Sequence, residues 1–559
     1  MEKIKNYIIL HPDLFTVIGL GIIFYFVFFH NIWAYALMDV DESRYVTMAK
    51  EMFHSKDFMT LYLNKEFFFE KPPLYFWGEC LSFKLFGKIN EFTARFPVAL
   101  YGTACCYLAY IMGKKIISRY YGIIMALILA TSLEYLILSK FAILDIVVTT
   151  CICFSVCLGM VVYFCRENRR KYYWWLFYFF SGLAVMAKGL PGFIIPFGSI
   201  FFISIISKKF KEIFKPIYFI PGISIFLLTV LPWHILMLKM HNPLFWNEYI
   251  IKHHVARFFD AEVINREQPF YFYLLTILWG FFPWIISCAV VWIKNITTII
   301  KNKKMPFNMS NCTTGQRFII YNIIEVFFIL LFFSASGTKL ITYILPIYLS
   351  LSALGGYVWW NYLVNKSHEN LINKTLYITG GLFLLISVAG ILTPLYLPEQ
   401  LLNDIISAKL FCVLLFFATG LALILFTKRK IYIASFATIV LFMTILSAIA
   451  TEKFFEIDYK FGQDDLMEMA KYAKENNISL TTFNFASKYS LIFYGEIPVT
   501  FKPEQPLELL NENLDDEKNM VIVKNKDMKY FDNKQFDVIF KGRKFSLLEE
   551  KGVANVPAN

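Results

Sequence analysis

Glu70-Lys71-Pro72-Pro73 is the tetrapeptide in this chain that ordinary packing explains least. Two prolines fix an extended turn and aim the preceding pair in a set direction. A lysine held that way suits a phosphate as a point charge. The competing reading is a lysine reaching for lipid headgroups. The same polar stretch, Asp39 to Arg95, also carries Asp41-Glu42-Ser43-Arg44, followed by Tyr45, Met48, Ala49, Met52 and Phe53 on one helical face. This predicts a helix along the membrane surface with Asp41 and Glu42 at its N-terminus, where the helix dipole favours carboxylates. An ordinary helix cap accounts for the two acids equally well.

Three further segments hold groups of the same kind. Asp145 sits in SKFAILDIVVTT at the mouth of an apolar run, where a carboxylate is costly and defaults to a functional candidate; a structural ion pair is the alternative. WNEYIIKHHVARFFD gathers His253, His254, Arg257 and Asp260, with Trp246, Tyr249 and Ile250 as a lipid-facing stripe of a second surface helix. One histidine with a carboxylate from another loop could hold a divalent ion. Finally, Lys339 and Tyr343 are four apart in SGTKLITY, and Lys188-Gly189 opens another run; interfacial anchoring explains either alone.

The elements that must position these groups are membrane helices. The 559 residues are 57% apolar, with a mean hydropathy of +0.53. Apolar runs of about twenty residues, enough to cross roughly 30 Å of hydrocarbon, recur along the chain. Spans are expected at 14–29, 96–112, 122–138, 142–164, 173–187, 191–207, 217–238, 269–293, 318–335, 340–360, 375–395, 406–426 and 431–449, about thirteen in all by that length rule. Ala34-Tyr35-Ala36 resembles a signal-peptidase site, but the first run is long for a signal and is read as an uncleaved span.

The net charge of +12 falls mostly in short loops, where it sets orientation and does not point to nucleic acid. Every second loop is basic, which places those loops and the N-terminus in the cytoplasm. The candidate residues then share the outer face. Lys71, Lys188, Arg257 and Lys339 gather there against the usual bias, which implies an anionic ligand in the lipid phase. Most of the ten cysteines lie inside apolar runs, so neither a disulfide framework nor a zinc site is suggested. The chain divides into a transmembrane domain, 1–450, and a polar tail, 451–559. An amphipathic helix near Asp464–Lys474 and short strand-like runs at 480–483, 499–501, 520–523 and 538–540 make the tail a small α/β domain.

DESRYVTMAKEM, FEKPPLYFW, EFTARFP, FAILDIVVTT, AKGLPG, HHVARF with QPFYFYLLTILWGFFPW, and SGTKLITYILP resemble, in family order, motifs of the GT-C glycosyltransferases that use polyprenyl-phosphate sugars. Within them the chain is most similar to the lipid A aminoarabinose transferases and the wider protein O-mannosyltransferase-like superfamily. The resemblance implies a sugar moved from undecaprenyl phosphate to lipid A or lipopolysaccharide at the periplasmic face of the bacterial inner membrane. It implies catalytic roles for Asp41 and Asp145, with Glu42 beside them. It implies contacts from Lys71, Arg257 and Tyr343 to the lipid phosphate, where Lys339 and Lys188 add charge. Glu70 with His253 or His254 matches a divalent-metal pair (zinc, magnesium or manganese). A small periplasmic domain at the end of a monomeric chain is also implied.

The chemistry expected is in-line displacement with inversion, the leaving polyprenyl phosphate being held by preorganised cations. A phosphate acceptor needs little base catalysis; a Ser/Thr hydroxyl would require Asp41 as general base. No Gly-rich phosphate loop is present, so a nucleotide cofactor is not expected. The alternatives are a transferase of this fold with a protein or other envelope acceptor, and a lipid-linked sugar transporter. The latter should show internal repeats and polar span centres.

Overall fold

A computed structural model describes residues 12–256, 268–301, 309–392, 399–450, 463–484, 487–502, 519–531 and 535–550. The chain forms two compact units: residues 1–32, 69–75 and 95–451 in the first, and 33–68, 76–94 and 452–559 in the second. The units cut across the boundary expected at 450, since much of the first polar stretch belongs with the tail.

Among the described residues, eight helices are long and apolar enough to cross a membrane: Pro12–Phe29, Glu91–Ile116, Pro216–His241, Trp284–Lys301, Thr314–Ala335, Glu369–Leu392, Lys409–Lys428 and Tyr432–Ile449. Three shorter apolar helices, Arg119–Ala130, Asp145–Val161 and Pro191–Ile206, accompany them. Arg170–Lys188 and Ile347–Asn365 add two of nineteen residues each. This is a multi-pass membrane protein.

Two expected spans are each broken. The run 122–138 stops at Ala130 and restarts at Leu133. The run 269–293 divides into Phe272–Gly280 and Trp284–Lys301, because Pro283 has no N–H to continue the ladder. The breaks satisfy each other: Leu133 N donates to Phe282 O at 3.2 Å, and Trp284 Nε1 donates to Thr131 Oγ1 at 3.1 Å. Irregular backbone at membrane depth is tolerated where protein groups pair it in this way. The expected span 340–360 likewise opens as a short turn, Ile341–Ile344, before Ile347–Asn365.

Elsewhere, small residues let backbones meet. A Cβ on Gly122 would stand 2.5 Å from Tyr110 O and 2.7 Å from Lys114 N, so Arg119–Ala130 lies directly on the helix before it. Trp284 and Trp359 pack edge to face, centroids 5.5 Å apart, in the interior of the first unit.

In the second unit, helix Asp41–Ser55 forms as its periodicity predicts, with Tyr45, Met48, Ala49 and Met52 buried. That apolar face packs on protein and is not left for lipid: Tyr45 meets Phe76, and Phe53 meets Phe83. A short hairpin follows, β1 (Tyr62–Leu63) with β2 (Glu66–Phe67). The tail holds β3 (Ser479–Phe483), β4 (Val499–Lys502), β5 (Asn519–Lys524), β6 (Phe536–Lys541) and β7 (Phe545–Glu550), in the spatial order β4-β3-β5-β7-β6. The pairs β3–β4 and β3–β5 are parallel; β5–β7 and β6–β7 are antiparallel.

Helix Asp464–Glu475 buries Leu466, Met469, Ala470 and Ala473 in the same core as Leu480 and Ile522 of the sheet. Asp465 anchors it by accepting from the N–H groups of Arg543, Lys544 and Phe545 at 2.7–3.0 Å. Asp39 ties the polar stretch to the tail within this unit: it accepts from Ser43 Oγ (2.5 Å), Ser490 N (3.0 Å) and Ser490 Oγ (2.5 Å).

Candidate active site

Consecutive antiparallel helices bring distant residues to one end. Asp145 is the first residue of Asp145–Val161, and Lys188 is the last of Arg170–Lys188. Gly189, with φ 81°, ends the second helix directly after the lysine. The two side chains close an ion pair, each mostly shielded from solvent. The Ser336–Tyr343 segment arrives at the same end, because it links Thr314–Ala335 to Ile347–Asn365. It sets the Tyr343 ring 4.7 Å below the Lys188 ammonium, and Phe333 backs that ring at 5.7 Å. Asp145, Lys188 and Tyr343 thus converge from three segments at one end of these helices.

A second cluster surrounds Glu70-Lys71. Lys71, Pro72 and Pro73 are buried. Phe69 is clamped by His241 and Phe245 at 5.2 and 5.7 Å, which fixes the start of the turn. Lys71 Nζ lies 4.0 Å from Glu70 Oε2. His253 Nε2 lies 3.8 Å from Glu70 Oε1 and 3.8 Å from Glu248 Oε2. Lys252 pairs with Glu248 at 2.9 Å.

Other expectations fare differently. Trp246–Ala256 is a π-helix, and Tyr249 does not face lipid. Its ring stacks on Phe245 at 4.9 Å, and its hydroxyl is 3.2 Å from His234 Nε2. Arg257 and the side chain of His254 lie outside the described residues. Lys339 is buried and donates to Ser336 O at 2.7 Å, so here it braces its own loop. Asp41 belongs to the second unit; its exposed carboxylate pairs with Arg44 at 2.7 Å. Glu42 is buried and accepts from Met38 N at 2.8 Å, a bond to the chain upstream of the helix and not a cap of its first turn.

For a metal, Glu70 and His253 provide a pair of ligand types at workable separation. No group of three or more His, Cys, Asp or Glu side chains is gathered for one among the described residues. The residues present therefore fit a metal only in part, and no chemical step is derived through one.

Sequence reasoning missed Glu134. It is buried, accepts from Tyr348 Oη at 2.5 Å, and lies close enough to Asp145 for their charges to interact. The signal was available: a lone carboxylate in the apolar run ALILATSLEYLIL. Lys140 was also passed over. In the loop 139–145 it donates to Ser447 O at 2.7 Å and His30 O at 3.3 Å. Burial, with Arg95 nearby, pushes its ammonium down to about 7.

The sequence model of the dolichyl-phosphate-mannose-protein mannosyltransferase family matches residues 13–247. The crystal structure of ArnT from Cupriavidus metallidurans bound to undecaprenyl phosphate superposes with a TM-score of 0.77, covering 96% of this chain and 97% of that one at 18% identity. The chain shares the fold of that protein. Among curated sequences, an uncharacterised protein of Aquifex aeolicus is 28% identical over 365 residues, 65% of this chain and 66% of that protein. The undecaprenyl phosphate-alpha-4-amino-4-deoxy-L-arabinose arabinosyl transferase of Pectobacterium carotovorum is 28% identical over 379 residues, 65% of this chain and 64% of that protein. The chain thus matches slightly less than two thirds of the length of these relatives. The recognised likeness to the aminoarabinose transferases of the GT-C class stands on these matches together.

Proposed function

We propose that this protein is an inverting glycosyltransferase that moves a sugar, by preference an amino sugar, from undecaprenyl phosphate to a lipid A phosphate. The active site and tail face the periplasm, and the protein resides in the bacterial inner membrane. The observation that carries this reading is the convergence of Asp145, Lys188 and Tyr343 from three separate segments at one end of the bundle. The Glu70-Lys71 turn adds a buried cation in the same unit as the partly shielded Lys188. Buried cations with acidic partners suit an anionic ligand beside a polar sugar. Relatives named for undecaprenyl-phosphate aminoarabinose transfer, and a neighbour of this fold bound to undecaprenyl phosphate, support the choice of donor.

In the reaction, an acceptor phosphate oxygen attacks the anomeric carbon. The bond from that carbon to the donor phosphate oxygen breaks, and polyprenyl phosphate leaves with the electron pair. Lys71 and Lys188 hold the charge that develops on the leaving group, with Tyr343 as a hydrogen-bond donor, and Arg257 is proposed to join them. Such fixed cations in a water-poor site are often the largest catalytic contribution. Asp145 orients the sugar. An acceptor that is already anionic removes the need for a strong base. If a metal binds, Glu70 and His253 would hold it, and it would supply further positive charge for the phosphate.

The deciding experiment incubates purified protein with synthetic polyprenyl-phosphate aminoarabinose and lipid A. Mass spectrometry should show lipid A gaining one aminoarabinose residue on phosphate. A gain on protein, or label that merely crosses the bilayer unchanged, would replace the proposal with one of its rivals.

A further inference from the structure

The end of the bundle where Asp145 pairs with Lys188 holds a second carboxyl, Glu134. It sits on the short helix Leu133–Leu138, where the chain restarts after the break at Thr131-Ser132. The residue is 1% exposed. Its Oε2 accepts from Tyr348 Oη, and its Oε1 is buried with no hydrogen-bond partner among the described residues. The surroundings are shaped for this pair. A Cβ on Gly280 would stand 2.0 Å from Tyr348 Oη and 2.6 Å from Glu134 Oε2. The helix Phe272–Gly280 therefore admits both groups only because residue 280 has no side chain. All of these residues belong to the first unit.

Asp145, Tyr348 and Tyr273 lie within electrostatic reach of Glu134, and Tyr273 also reaches Tyr343, the ring under Lys188. Among the described residues no cation pairs with Glu134, and Lys188 is committed to Asp145. Two carboxylates against one ammonium leave one negative charge in excess. In a buried site a proton or a further cation must balance it. A bound donor sharpens the imbalance, because its phosphate draws on the same Lys188. The ammonium of an amino sugar is a cation that completes the set, whereas a neutral sugar brings none.

We propose that Glu134 sets the preference for an amino sugar in the donor. With Asp145 it makes the acidic side of the sugar site, and it favours a sugar ammonium through its field and not by contact. Glu134 is thus a positioning residue that determines specificity. This rests on the sugar transfer proposed for the first unit and adds the group that selects the substrate.

The test uses the full chain in phosphatidylcholine nanodiscs and measures kcat/KM for transfer to lipid A from two synthetic donors. These are polyprenyl-phosphate 4-amino-4-deoxy-arabinose and polyprenyl-phosphate arabinose, which differ only by an amine in place of a hydroxyl. Wild type is expected to favour the amino donor. Glu134→Gln keeps the shape and the acceptor for Tyr348 but carries no charge. The ratio of the two values should fall about tenfold, through loss with the amino donor alone. Glu134→Leu/Tyr348→Phe removes both partners of the bond and strands no polar atom, so it serves where the amide fails to fold. It should show the same fall. Glu325→Gln alters another buried carboxyl of this unit, one that accepts from Ser350 Oγ at 2.6 Å. It should keep the wild-type ratio. A ratio unchanged in both Glu134 variants, a ratio lowered equally in Glu325→Gln, or a wild type that transfers both sugars equally would overturn the inference and leave the transfer reaction standing. A wild type inactive with both donors would overturn the transfer reaction, and this inference with it.

Discussion

Lys188 closes an ion pair onto Asp145 across the ends of two antiparallel helices, with its ammonium held over the Tyr343 ring. The side chains retain only 15% and 11% of their exposure, so water contributes little to holding either charge. Removing one partner of such a pair strands the other, at a cost of about 3–5 kcal/mol, whereas removing both can be nearly neutral.

The pair therefore separates stability from activity. Lys188→Ala should lower the unfolding temperature in detergent markedly. Lys188→Ala/Asp145→Asn should recover most of that loss while remaining inactive in transfer. If the double variant regained turnover, the pair would be structural and the site would have to be sought elsewhere.

Lys71 is buried beside Glu70 on a turn locked by two prolines and by the Phe69 clamp. Lys71→Ala should cut donor turnover by about 10²–10³-fold, the range seen when a preorganised charge-stabilising group is lost. The protein should still insert and elute as wild type. Normal turnover would show that Lys71 only reaches toward headgroups.

Asp41 begins its helix, is exposed, and is held by Arg44. A surface pair of that kind contributes at most about 1 kcal/mol. Asp41→Asn should thus leave thermal stability nearly unchanged. If the carboxylate orients the sugar, turnover should fall by about 10²-fold or more. An active Asp41→Asn enzyme would reduce Asp41 to a helix terminus.

Much of this was legible in the sequence because lipid imposes a strict rule: apolar length gives helices, and loop charge orders their ends. The juxtaposition of Asp145, Lys188 and Tyr343 follows from counting helices. What was not legible arose where protein, not lipid, satisfied the backbone. The breaks at Thr131-Ser132 and before Pro283 pair with each other, and neither run reveals its partner. Glu134 escaped notice because its apolar neighbours made it part of a span. Hydrophobic periodicity correctly predicted the buried face of Asp41–Ser55 but could not say whether lipid or protein covers it. In the tail, β7 was missed because its sequence, FSLLEE, does not alternate; four consecutive residues are buried, as befits a strand between β5 and β6.

The tail makes a separate, pH-dependent prediction through Glu496. Its carboxylate is hydrogen-bonded first by Lys474, at 2.6 Å, and then by Lys50, at 2.8 Å, which pulls it from 4.5 down to about 2. A carboxylate depressed in the folded state contributes stability that is fully present above its unfolded value and fades as pH falls toward the folded one. The window is therefore pH 4.5 to about 2. Pepsin, active across that range, reports opening of the tail in the intact protein. Wild-type resistance should decline steeply as the pH is lowered through the window. Glu496→Gln should start less resistant at pH 4.5 and change less below it, so that the two curves approach each other near pH 2. Curves that stay parallel would mean that the two lysines do not engage Glu496 in solution, and that the helix Ser490–Gly495 is held to the first polar stretch by Asp39, by the Lys50 Nζ bond to Phe493 O and by packing.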